Sequence, residues 1–198
     1  MSDARDRLPI PAERRIAVQV TADALRHVRA GHPWVYADSV VSTSHDGAPG
    51  DLAVVFDRNR KFVAIGLWDP VSPIRIRILH HGRPAQIDRP WWDALVAAAL
   101  ARRTAFVDAP DVDELGYRVL NGESDGTPGL IADRYAGVLV VKLYSVAWFA
   151  HLDTVVDALV DATGVHGVVL RLSRAVAATE TFGLADGNVL TGRVDDGP

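Results

Sequence analysis

The chain has 198 residues, 48% of them apolar and 23% charged, enough for one large domain or two small ones with buried cores. It contains no cysteine, which excludes disulfides, thiolate metal sites and a cysteine nucleophile within these residues. The formal net charge is −4, a weak argument for nucleic-acid binding by the chain as a whole. The distribution is uneven, however: residues 1–83 carry a balance of +3 and residues 84–198 one of −7.

The first 14 residues, charged and proline-containing, read as a disordered lead-in with no apolar core of a secretory signal. No apolar run approaches the ~18 residues that would span a membrane, so a cytoplasmic address is expected. "RIAVQVT" alternates apolar and polar residues and predicts a strand. "ADALRHVRAG" predicts a short helix with Thr21 as N-cap and Gly31 as its stop. "HPWVYADSVV" suits a strand after the break at Pro33, with Trp34 a core residue rather than a stacking platform. "PGDLAVVFDRNRKFVAIGLWDP" predicts a hairpin over the turn "DRNRK". "SPIRIRILHHG" alternates Ile with Arg, which predicts one apolar and one cationic strand face. Residues 15–83 are thus expected to form a small β-rich module.

"RPAQIDRP" predicts a linker, and "RPWWDALVAAALARRTAFV" a helix whose stripe is Trp92, Leu95, Val96, Ala99 and Leu100, with Pro90 in its first turn. A strand, a loop and a further strand continuing into "GVLVVKLYS" follow. "VAWFAHLDTVVDALVDATG" predicts a helix capped by Ser145 and stopped at Gly164, and "GVVLRLSR" a last strand. The fold class is therefore α+β, with residues 88–190 as a second module and 191–198 as a tail.

The stretch "VLNGESDGTPGLIADRY" is the most unusual in the chain. Glu123, Asp125 and Asp133 offer hard oxygen ligands for a metal, though not at calcium-loop spacing. Glu123 and Asp125 also admit an acid/base pair, as a carboxylate-based hydrolase would need, but without an accompanying nucleophile. The favoured reading is structural. Gly122, Gly126 and Gly129 permit positive φ, Asp125-Gly126 forms a turn, Pro128 stiffens the return, and the carboxylates hold the loop's own amides. Asp133 and Arg134 would cap or pair at a strand end, next to Tyr135.

"GESDGTPGLIADRY" resembles a signature of the S-adenosylmethionine-dependent methyltransferases that make 5-methylcytosine in large-subunit ribosomal RNA. "RAGHPWVYADSV" is similar to that family's block near the N-terminus, and the likeness spans roughly residues 16–185. The resemblance implies a PUA domain, a small RNA-binding pseudo-barrel, at 15–83. It implies a middle domain of strand-strand-helix-strand-strand order at 88–190, then a Rossmann-like catalytic domain that these residues do not supply. S-adenosylmethionine is accordingly expected in the full-length family member and not in this chain, and no catalytic or metal-binding residue is expected here. The expected partner is ribosomal RNA, held by Arg26, Arg29, His32, Arg58, Arg60, Lys61, Arg75 and Arg77, since Arg and Lys supply phosphate contacts. The alternative is a non-catalytic protein-interaction module, including a homodimer.

Overall fold

The computed structural model describes residues 4–107 and 116–194, and the chain divides into two compact units. One unit comprises residues 9–86 and 145–151; the other comprises the described parts of 1–8, 87–144 and 152–198.

The first unit is built on a six-stranded sheet: β1 (Ile16–Val20), β2 (Trp34–Tyr36), β3 (Val40–Thr43), β4 (Leu52–Phe56), β5 (Phe62–Trp68) and β6 (Ile74–His81). Its order is β2-β6-β5-β4-β1-β3, so β2 and β3 are its edges. All neighbours are antiparallel except β1 and β4, which run parallel. The predicted single strand over "HPWVYADSVV" is therefore two strands. A 3-10 turn at Ala37–Ser39 separates them, and they end on opposite edges of the sheet.

Helix α1 (Ala22–Arg29) begins where the Thr21 hydroxyl accepts from the Ala24 amide at 3.3 Å, and stops before Gly31 at φ +92°. Its Val28 reaches the core formed by Ile16, Val18, Val35, Val55, Trp68 and Ile76. Gly66 of β5 is fixed by close approach: a β-carbon there would collide with the Arg77 carbonyl oxygen of β6.

The second unit holds a five-stranded sheet of β7 (Gly116–Asn121), β8 (Leu130–Tyr135), β9 (Val138–Leu143), β10 (Gly167–Leu172) and β11 (Val189–Gly192), ordered β11-β10-β9-β8-β7. Helix α2 (Arg89–Ala101) precedes it, with the Asp88 carboxylate accepting from the Trp91 amide at 3.1 Å and Pro90 in the first turn. Trp92, Val96 and Ala99 of the predicted stripe are buried, while Leu95 and Leu100 are half-buried. A one-turn helix, α3 (Thr104–Val107), follows. Helix α4 (Phe149–Thr163) makes the crossover between the parallel strands β9 and β10. A short α5 (Arg174–Ala177) follows β10.

Three strands thus precede the crossover helix where two were expected. The hairpin at Ala136-Gly137, with Ala136 at φ +50°, divides a run that reads as continuous in sequence. Two termini also differ from expectation. Ala4–Arg7 form a 3-10 turn in which Arg5 pairs with Asp153 at 2.8 Å and Asp157 at 2.7 Å, so this part of the lead-in is ordered by ion pairs. Thr191 and Gly192 belong to β11 rather than to a tail, while the expectations for 1–3 and 195–198 lie outside the described residues.

Candidate nucleic-acid interface

The hairpin between β4 and β5 is organised by one carboxylate. Asp57 accepts from the amides of Asn59 and Lys61, each at 2.9 Å, and from the Arg29 guanidinium at 2.8 Å. The Lys61 amide, more than the neighbouring guanidinium, holds the Asp57 carboxyl below its ordinary range. Arg60 occupies the left-handed region at φ 60°, and Arg58, Arg60 and Lys61 are all exposed. Sequence reading placed Arg29 on a helix and Lys61 on a turn; the fold brings them to one groove with His81 and Gly82. Arg26, also exposed, pairs with Asp23 one turn back on α1.

Beside α1, four rings gather. His32 lies edge-on to His27 at 6.1 Å and to Trp34 at 5.8 Å, and Tyr36 lies 6.3 Å from Trp34 and 6.4 Å from His32. Val35 points into the core at 1% exposure, whereas Trp34 is half-buried and Tyr36 is 45% exposed. Trp34 is therefore not a core residue. Strand alternation sends Val35 inward and places Trp34 and Tyr36 on the other face of an edge strand. That period-two signal is present in "WVY", but the sequence does not say which phase faces the core. His27, Tyr36 and His81 are the residues that sequence reasoning missed.

The two arginines of β6 behave differently from expectation. Arg77 is buried, 3.3 Å from the buried Asp69, and donates to the Ile74 carbonyl at 3.1 Å. Asp69 also accepts from the Ser145 hydroxyl at 2.8 Å. Arg77 is a structural cation: it alternates with the core residues Ile76 and Ile78, and on its own face of β6 it is buried against Asp69. Arg75 is half-buried, 5.5 Å over the Trp68 ring, and donates to the carbonyls of Asp69 and Pro70. Both guanidiniums are thus engaged by groups of their own unit.

The glycine-rich loop of the second unit is a 3-10 turn, Gly122–Asp125, closed by Gly126 at φ +77°. Gly122 and Gly129 also have positive φ, and the Thr127 hydroxyl donates to the Gly122 and Leu130 carbonyls. Asp125 is buried, accepts from the Asn121 amide at 2.7 Å and is ion-paired to Arg102 at 2.6 Å and to Arg103. Burial pushes its carboxyl up, but the Arg102, Arg103 and Asn121 hydrogen bonds outweigh it, leaving the group below the ordinary range. An ionised, doubly paired carboxylate is neither a proton donor nor a free metal ligand. Asp133 is likewise held bidentate by Arg118 at 2.8 and 3.1 Å across the β7–β8 pair. Arg134 donates to the Ala136 carbonyl and to the Thr163 carbonyl at the end of α4. Glu123 is exposed, and Pro128 is buried within the return.

A nucleotide-type methyl donor needs a glycine-rich turn from a strand into a helix. The β9-to-helix link here is Tyr144-Ser145, and the Ser145 hydroxyl is committed to Asp69 and to the Ala147 amide. The β9-to-helix link therefore does not present that turn.

The first unit belongs to a known class, since residues 18–81 match the family model of a PUA-like domain. Over longer stretches the chain is similar to a protein named ribosomal RNA large subunit methyltransferase from Deinococcus radiodurans. The two are 50% identical over 189 residues, which is 94% of this chain and 46% of that one. Ribosomal RNA large subunit methyltransferase I of Pseudoalteromonas atlantica is 31% identical over 166 residues, covering 83% of this chain and 41% of that protein. The chain thus spans less than half the length of these two relatives. A candidate SAM-dependent methyltransferase structure from Streptococcus mutans superposes with a TM-score of 0.73 at 13% identity, over 90% of this chain and 44% of that one, a likeness of fold. Among the described residues no helix is long and apolar enough to cross a membrane.

Proposed function

We propose that these residues form the RNA-engaging and substrate-positioning part of a large-subunit ribosomal RNA methyltransferase. The observation that carries this reading is the pairing of a basic groove, Arg29 with Lys61 and His81, with the half-exposed rings of His32, Trp34 and Tyr36 on one PUA-like unit. Cations supply phosphate attraction and exposed rings supply base stacking, the two contributions that structured and single-stranded RNA both use. The half-length match to proteins named as ribosomal RNA methyltransferases supports the substrate class.

S-adenosylmethionine is the methyl donor of the whole protein in this reading, held by residues other than those described here. The cytosine ring as target rests on the loop resemblance, and the attacking thiolate lies outside this cysteine-free chain. A cytoplasmic location follows from a ribosomal RNA substrate.

The test is binding of a large-subunit rRNA fragment and of duplex DNA across a salt series. Preference for the rRNA fragment, with affinity falling as salt rises, is expected, because each neutralised phosphate contributes roughly 0.7–0.9 to the log–log slope. Equal and negligible affinity for both, with concentration-dependent self-association, would instead establish the interaction-module reading and overturn this one.

A further inference from the structure

One face of the second unit's sheet is half-buried to exposed: Val138, Val140 and Lys142 of β9 lie beside Asp133 of β8 and Arg171 of β10, and the exposed rings of Tyr135 and Tyr144 flank them. Tyr135, at the end of β8, is 56% exposed, and Tyr144, just past β9, is 46% exposed. Large rings held in water on a flat sheet need a reason. Tyr135 has a partial one, since its ring lies about 3.1 Å from where a Gly116 β-carbon would sit and so covers that glycine. At Tyr144 the Lys142 ammonium sits 5.2 Å above the ring.

On this face the cations outnumber the carboxylates that meet them: Arg118 pairs with Asp133, while Arg171 and Lys142 share Asp186. Register places Lys142 of β9 directly opposite Arg171 of β10, and like charges directly opposite are destabilising. Asp186 holds Arg171 at 2.9 and 3.1 Å and also lies within electrostatic reach of Lys142, so one carboxylate serves two cations. On the β7 side, Arg118 and Tyr135 share a cleft of about 360 Å³ with Arg103, Asn121 and Asp133, within the size range of a small-ligand site.

We propose that this sheet face is a second RNA-contacting surface, one that takes single-stranded RNA. Tyr135 and Tyr144 stack bases, the cleft beside Arg118 admits one nucleotide, and Lys142 with Arg171 attracts the phosphates between them. Stacking on exposed rings combined with backbone cations is how flat sheets hold single strands without a deep groove. The surface is new relative to the basic groove of the PUA-like unit, and it rests on the RNA-binding reading given above.

The experiment uses the whole chain and a single-stranded oligoribonucleotide of about 12 nucleotides carrying 4-thiouridine, a length within the usual site size. Photo-crosslinked peptides are identified by mass spectrometry, and affinity is measured for Tyr144→Ala, Tyr144→Phe and Lys142→Ala. Cross-links to peptides containing Tyr135 or Tyr144 are expected, with about five-fold or greater loss for Tyr144→Ala and retention in Tyr144→Phe. A ring that serves only the fold would not give that alanine-versus-phenylalanine split at unchanged thermal midpoint. Cross-links confined to residues 15–83, with Tyr144→Ala binding normally, would overturn this inference while leaving the proposed function intact. Absence of any cross-link or binding would overturn both.

Discussion

The Asp57 carboxylate holds the Arg29 guanidinium at 2.8 Å while also accepting from the Lys61 amide, so one side chain ties α1 to the tip of the β4–β5 hairpin. Asp57→Asn keeps the size of the side chain and removes its charge. We expect the tip to loosen and Arg29 to be freed. RNA affinity should then fall several-fold in low salt even though a negative charge has been removed from the interface. Unchanged or tighter binding in a fluorescence-anisotropy titration would show that the tether does not preorganise the groove.

Arg26 and Arg29 are expected to act through phosphates. Replacing both with Ala should reduce the slope of log affinity against log salt by about 1.5, since each contact contributes roughly 0.7–0.9. Trp34→Ala should instead weaken binding by about 1 kcal/mol or more with the slope preserved, because a stacking contact releases no counterions. If the two variants alter the slope equally, the division between groove and aromatic cluster is wrong.

Arg77 separates stability from binding. It is buried against Asp69, and Arg77→Met leaves that carboxylate without its cation at a cost of about 3 kcal/mol. Urea unfolding should show the loss, and the salt slope of RNA binding should not move. The Asp125→Asn variant behaves alike in the second unit. There the loss is roughly 2–3 kcal/mol, because Arg102 is half exposed and recovers water.

Acid should lower the stability of the protein in two separate pH windows. Burial keeps the His151 imidazole, 2.8 Å from the Gly50 carbonyl, below its ordinary pKa, and burial acts the same way on His80. The unfolded chain therefore takes up protons first, and stability declines as pH falls below about 6.5. Asp57 and Asp125 are depressed by their hydrogen bonds, so their contribution is complete above about pH 3.9 and is lost as pH falls through their lower folded values. Thermal midpoints measured across pH should show both limbs. His151→Gln should flatten the upper one and Asp125→Asn the lower.

Gly66→Ala tests the β5–β6 register. The added methyl would meet backbone, the Arg77 carbonyl oxygen, which cannot swing aside as a side chain would. A loss of about 2 kcal/mol or more is expected in chemical denaturation, and a neutral result would mean that the irregular register relaxes.

Much of this molecule was legible in its residue order. The α1 cap at Thr21, the α2 stripe through Trp92, Val96 and Ala99, and the 57–61 hairpin turn follow from local physics: caps, helical periodicity and turn geometry act within a few residues. The turn geometry around Gly122–Asp125 was legible for the same reason, because Gly122, Gly126 and Gly129 at positive φ are a local requirement. What tertiary structure alone decided is everything set by which phase of a pattern faces inward, and by which distant carboxylate finds which cation. "WVY" alternates identically for either choice of face, yet Trp34 and Tyr36 go outward, while in "IRIRIL" the isoleucines go to the core and the cationic face is covered, burying Arg77 against Asp69. Asp125 finds Arg102 and Arg103, about twenty residues back, only once α2 is packed on β7. Burial and ion pairing depend on long-range neighbours, and a local sequence window does not contain them.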